Sequence, residues 1–208
     1  MHSMTSNASY LGNVPSMAVF LPGLSIQERS DIQDLLLAAQ LFADRQFDFR
    51  AQWSSWIHYY RKRLAAHGLQ EAGLVLGDSL VVSSAQDLKA ATFRVSGQDD
   101  LAEMVGRSFT AMGAYQAAEA FFQRGFDQGR LGSFQVAPCK QQGSDAIQLL
   151  LCSMHLSADR YSAGTPRLLF HFKGGTYLFS NKTYQAHRET VARYLDGKAQ
   201  GLIRSVTV

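Results

Sequence analysis

The chain has 208 residues, 46% of them hydrophobic and 18% charged, with 20 Lys and Arg against 17 Asp and Glu for a formal charge of +3. Enough apolar surface is available for a sizeable core, which excludes a wholly disordered chain, and the small net charge excludes polyanion binding driven by bulk charge alone. The two cysteines, Cys139 and Cys152, are too few for a disulfide scaffold.

Residues 1–24 mix Ser, Asn, Gly and Pro with scattered apolar residues and read as an N-terminal arm, with residues 1–3 as an expression remnant, leaving 25–208 as a single domain. No basic n-region precedes "MAVFLPGL", which Pro22 interrupts, and no stretch reaches the roughly 18 apolar residues of a membrane span. A cytoplasmic protein is the expectation, and a leaderless export route is compatible with it.

A first helix opens at Ser25, which forms an S-x-x-E capping box with Glu28, and continues through Ile26, Ile32, Leu35, Leu36, Ala39 and Phe42 to about Gln46. Asp48 can cap a second helix, whose Trp53, Trp56, Ile57, Tyr60 and Leu64 recur at helical spacing, with Gly68 placed to end it. The short connection predicts an antiparallel helical hairpin, with Glu28, Asp31 and Asp34 beside Arg61, Lys62 and Arg63.

Short β-prone runs follow, "GLVL", "LVVSS" and "ATFRVSG". Helical texture returns from Asp100 through Leu101, Met104, Val105, Phe109 and Met112, breaks at Gly113 and ends near Gly129. The last third predicts strands in "SFQVAPC", "AIQLLLCSMHLSA" and "RLLFHF", then a hairpin around Gly174 and Gly175 leading into "TYLFS". A terminal helix through Tyr184, His187, Val191 and Leu195 and an edge strand in "GLIRSVTV" complete the chain. Clustered strands joined by turns give α+β: an N-terminal helical hairpin, central helices, and a mainly antiparallel sheet in the C-terminal half with a terminal helix.

Gly77-Asp78-Ser79-Leu80 resembles the tetrapeptide that carries the nucleophilic serine of the GDSL esterases and lipases. The resemblance implies Ser79 as nucleophile on a parallel α/β sheet, with oxyanion donors from a separate Gly and Asn and a late Asp-x-x-His. Those companions are absent: the asparagines are Asn7, Asn13 and Asn181, and no histidine has Asp three residues before it. Residues 77–79 are therefore expected to form a turn between two strands.

Other candidates have plain structural readings. "YYRKR", Tyr59 to Arg63, mixes aromatic and basic residues but falls on a helix face with acids nearby, so no nucleic acid is favoured. His155 and His171 lie on strands that can be adjacent, with Cys152 near, yet alternation turns Cys152 away from His155, and no metal or other cofactor is assigned. His187 belongs to an apolar stripe. Gly125, Gly129 and Gly132 lack P-loop spacing. In the register expected for the two strands flanking "KQQGSD", Cys139 faces Ala146 and Cys152 lies near Ser133, about 20 Å apart, so both thiols are expected free.

The leading expectation is a noncatalytic protein that binds a protein partner or itself, with no small-molecule ligand assigned, and the balance is against an enzyme. The first alternative is a serine hydrolase using Ser79, with His155, His171 or His187 as base. The second is a peripheral membrane or toxin-associated protein acting through residues 101–126, rich in Ala, Gly, Met and Phe.

Overall fold

A computed structural model describes residues 7–96, 100–124, 131–159 and 166–208; Gly125 and Gly129 fall outside these. Among these residues seven strands form one sheet: β1 (Asn7–Leu11), β2 (Ser16–Phe20), β3 (Gln70–Val82), β4 (Ser133–Gln142), β5 (Ala146–Ala158), β6 (Leu168–Phe179) and β7 (Ile203–Thr207), in spatial order β3-β6-β5-β4-β2-β1-β7. Neighbours are antiparallel except β2 and β4. The fold is α+β. The tail forms the edge strand its sequence predicts. The stretch read as an arm does not stand apart, because residues 7–20 supply two strands of the sheet, with Ala18 and Val19 fully buried.

The central strands β4, β5 and β6 bury alternate residues on two opposite helical layers. On one face lie α1 (Ile26–Asp44), α2 (Trp53–Ala66) and α6 (Asn181–Leu195), packed over Cys139, Leu149, Leu151, Tyr177 and Phe179. On the other lie α3 (Ala85–Ser96), α4 (Asp100–Ala111) and α5 (Ala114–Arg124), packed over Val136, Cys152, Met154, Phe170 and Phe172. A short α7 (Ala199–Leu202) precedes β7.

Local signals account for some of the helix boundaries. Ser25 Oγ accepts from Glu28 N–H and Glu28 accepts from Ser25 N–H, closing the capping box of α1. The buried residues of α2 are Trp53, Trp56, Ile57, Tyr60 and Leu64, the stripe its spacing predicts. Gly113, at φ +80°, separates α4 from α5. Ile26 departs from its stripe and is 79% exposed, since it precedes the first turn that faces the sheet. Asp48 caps the turn before α2 rather than the helix itself, its carboxylate accepting from Arg50 and Ala51 N–H.

Four expectations are corrected by the sheet. Residues 77–79 are not a turn: β3 runs unbroken from 70 to 82, and the extra residues between Val75 and Asp78 form a bulge against β6. Gly174 and Gly175 are not a hairpin either but the middle of β6. A Cβ on Gly174 would lie 2.1 Å from Leu151 O, and one on Gly175 3.0 Å from Gly73 O, so these glycines let three strands approach rather than reverse the chain. "ATFRVSG" contributes to α3, where Ser84 Oγ accepts from Asp87 N–H and Asp87 accepts from Ser83 N–H. Cys139 pairs with Leu149 and Cys152 with Val136, because the β4–β5 turn is tighter than expected; both thiols are free and buried.

The acids of α1 also find different partners, because α6 rather than the end of α2 crosses them. Asp31, 3% exposed, takes two bonds from Arg188 at 2.6 and 3.0 Å, and Glu28 accepts from Asn181. Arg61 instead binds Glu71 and the Tyr177 hydroxyl, and Arg63 lies over the Phe42 ring. Burial, with Asp31 beside it, raises the Asp34 carboxyl from 3.8 to about 6. Folded Asp34 then holds its proton where the unfolded chain has lost it, so its contribution falls as pH rises from 3.8 to about 6. Asp34→Asn is expected to stabilise the protein by about 1 kcal/mol at neutral pH, allowing for partial exposure, and to make no difference at pH below the unfolded value. Denaturant melts at the two pH values check this; an equal gain at both would contradict it.

Candidate functional site

The polar residues of the strands facing α2 come in alternating pairs. Ser133 and Gln135 on β4, Ser153 and His155 on β5, and His171 and Lys173 on β6 each sit two apart, which places them on one face. The register then aligns them across the sheet. Ser133 is opposite His155, His155 opposite His171, and His171 opposite Ser79, so Ser79–His171–His155–Ser133 forms one row over four strands. Gln135, Ser153 and Lys173 form the next row.

Both ends of the first row are hydrogen-bonded. Ser79 Oγ lies 2.7 Å from His171 Nδ1, and Ser133 Oγ lies 2.8 Å from His155 Nδ1. Where an Nδ1 is unprotonated the serine hydroxyl donates to it; where it carries the proton its N–H donates to the serine. The imidazole centroids are 6.1 Å apart. Trp53, from the first turn of α2, roofs them, its ring 5.8 Å from His155 and 6.4 Å from His171, and its Nε1–H donates to Ser153 Oγ at 2.7 Å. Lys173 Nζ lies 5.4 Å from the Trp53 ring centroid and donates to Ser54 Oγ at 2.5 Å.

Ser79, His155, His171, Lys173, Trp53 and Ser54 line a cleft of about 660 Å³ between the start of α2 and the β3–β6–β5 part of the sheet, and Arg50, Gln52 and Ser55 extend its rim. Its size suits a small metabolite. Burial lowers the pKa of His155, aided by neighbouring His171, and burial lowers that of His171, aided by the Lys173 charge. Both imidazoles are thus held toward the neutral form at neutral pH, able to exchange a hydrogen bond or take up a proton.

Of the residues singled out by sequence, Ser79, His155 and His171 meet in this cleft. His187 does not: it packs beside His67 on the α6 side, ring centroids 5.7 Å apart. Cys152 faces the opposite helical layer, as alternation requires. Among the described residues no group of three or more His, Cys, Asp or Glu converges as metal ligands, and no helix is long and apolar enough to cross a membrane. Leu101, Met104, Val105, Phe109 and Phe121, from the segment considered for membrane contact, are turned onto the sheet. Tyr60 of "YYRKR" is fully buried. Sequence reasoning passed over Lys173, Ser54 and Arg50 as site residues and placed Trp53 only in the core; the i, i+2 polar pairs within apolar strands were the available signal for Lys173, and Ser54 and Arg50, on α2 and the turn before it, carried none.

No family model matches the sequence, and no curated protein does. Among solved structures, a chain described as a delta-endotoxin is similar, with a TM-score of 0.48 and 12% identity over 78% of this chain and 80% of that one. That similarity gives no residue of the cleft a role.

Proposed function

We propose that the protein is a noncatalytic binding protein and that the cleft over the Ser–His row is where it recognises its ligand. The observation that carries this is the convergence of Ser79, His171, Lys173 and His155, from three neighbouring strands, under Trp53, in a space large enough for a small molecule. A buried sheet face made for packing alone would be apolar here, as it is a few residues further along the same strands. A partner protein would have to offer a side chain or terminus small enough to enter.

The Ser79–His171 contact favours a second reading, hydrolysis at Ser79. An activated serine needs a base oriented by a third group, together with donors for the oxyanion. His171 instead has His155, Trp53 and Lys173 as neighbours, and the same Ser–His contact recurs at Ser133–His155. A repeated pair suits a polar ladder better than a single reaction centre. Ester hydrolysis by the purified protein is expected to be indistinguishable between wild type and Ser79→Ala on short-chain esters. Turnover abolished by Ser79→Ala in a folded protein would establish the hydrolase and remove the noncatalytic assignment.

A further inference from the structure

Resting on the proposal that the cleft binds a ligand, we infer that the ligand carries a small oxyanion, a phosphate or a carboxylate, held between Lys173 and the Ser79–His171 pair. Among the described residues the cleft lining has two cations, Lys173 and Arg50, two imidazoles and several hydroxyls, and no Asp or Glu. Lys173 is half-buried, and its ammonium meets a hydroxyl and an aromatic ring, both neutral. A partly desolvated cation whose partners among the described residues are neutral is most strongly stabilised by an anion.

Asp48, beside Arg50, is already engaged. Its carboxylate accepts from the Arg50 and Ala51 N–H groups, bonds that hold its pKa below the usual range. The start of α2 adds to the same field, since its first turn has no acidic residue and its N-cap Gln52 makes no side-chain capping bond. Ser54 and Ser79 supply neutral donors from opposite walls, and the Trp53 ring offers an apolar surface for the rest of the ligand.

The histidines make the inference readable in solution. An anion between Lys173 and His171 favours the protonated imidazole, so binding should raise the His171 pKa and tighten as pH falls toward that value. Among the described residues the groups facing His171 are Ser79 on β3, His155 on β5, Lys173 on its own strand and Trp53 on α2, with no carboxylate among them.

The test is titration of the full chain with inorganic phosphate, acetate and the uncharged trimethyl phosphate, followed by the ring resonances of His155 and His171. Saturable shifts with phosphate or acetate, a raised His171 pKa, and an affinity loss of about tenfold or more in Lys173→Met are expected. Arg50→Gln, at an exposed site, gives a second charge deletion should Lys173→Met fold poorly, and added sodium chloride should weaken anion binding in the wild type. Whichever anion binds more tightly identifies the group. Anion binding insensitive to both substitutions and to salt would overturn the inference. If only trimethyl phosphate shifts the two histidines, the oxyanion is wrong while the cleft remains a binding site; if none of the three does, both proposals fall.

Discussion

Trp53→Ala is expected to lower stability by about 3–5 kcal/mol, the usual cost of deleting a large buried aromatic, and to raise the pKa of His155. Trp53 is 7% exposed, stacks on His155, and gives its indole N–H to Ser153, which is fully buried. Its removal opens the space between α2 and the sheet and lets water reach the imidazole. Burial is the largest influence holding His155 low, so hydration shifts it back toward 6.5.

A pH consequence follows. A histidine whose folded pKa is depressed costs stability as pH falls below 6.5, because the unfolded chain takes up its proton first. Trp53→Ala should therefore be less stable than wild type throughout, yet lose less stability than wild type on acidification just below that pH. Trp53→Phe keeps a ring over the histidines and forfeits the bond to Ser153, at about 1 kcal/mol. Histidine NMR titrations with denaturant melts of both variants check the assignment. An unchanged His155 pKa in Trp53→Ala would show that the indole is not what keeps it dry.

Gly174→Val is expected to cost about 3 kcal/mol or more, at the upper end for overpacking a buried site. The atom that a new Cβ would meet at 2.1 Å is Leu151 O, part of the backbone of β5, and the Cys152 backbone lies just beyond. Backbone cannot rotate away as a side chain can, so β5 and β6 must separate locally. The separation would fall one residue from Lys173 and disturb the cleft as well as the fold. Gly106→Ala is the control: nothing lies within 4 Å of its Cβ position on α4, so it should stabilise the helix by about 0.5–1 kcal/mol. Thermal melts of both variants measure the contrast, and a Gly174→Val protein as stable as wild type would refute the close approach of these strands.

Gly77 and Gly174 also show where the sequence was ambiguous. Glycine permits a tight turn and equally permits a bulge or a close strand contact, and the choice depends on which strand lies alongside. β6 continues past both β3 and β5, and that decides the matter through pairings between residues some 20 to 100 positions apart. The helical hairpin was legible because its signals are local, a capping box at Ser25 and Glu28 and a stripe from Trp53 to Leu64. "ATFRVSG" misled through its β-prone residues, when Leu88 and Ala91 packing on the sheet set the outcome.

The site was legible in parts and not as a whole. Ser79, His155 and His171 each stood out, but no local pattern says that β3, β6, β5 and β4 are neighbours in that order. Trp53 read as core, and it is core; its second role as the roof of the cleft depends on α2 beginning directly above the polar rows.

The two thiols are set apart by the alternation of the strands that carry them. Cys139 lies beneath α1 and α2, and Cys152 beneath α3 to α5. Burial pushes both well above the ordinary thiol range, so neither reacts with an alkylating reagent until its own layer lifts. The chain thus carries a separate chemical clock on each side of its sheet, and the order in which the two cysteines are labelled records which helical layer opens first.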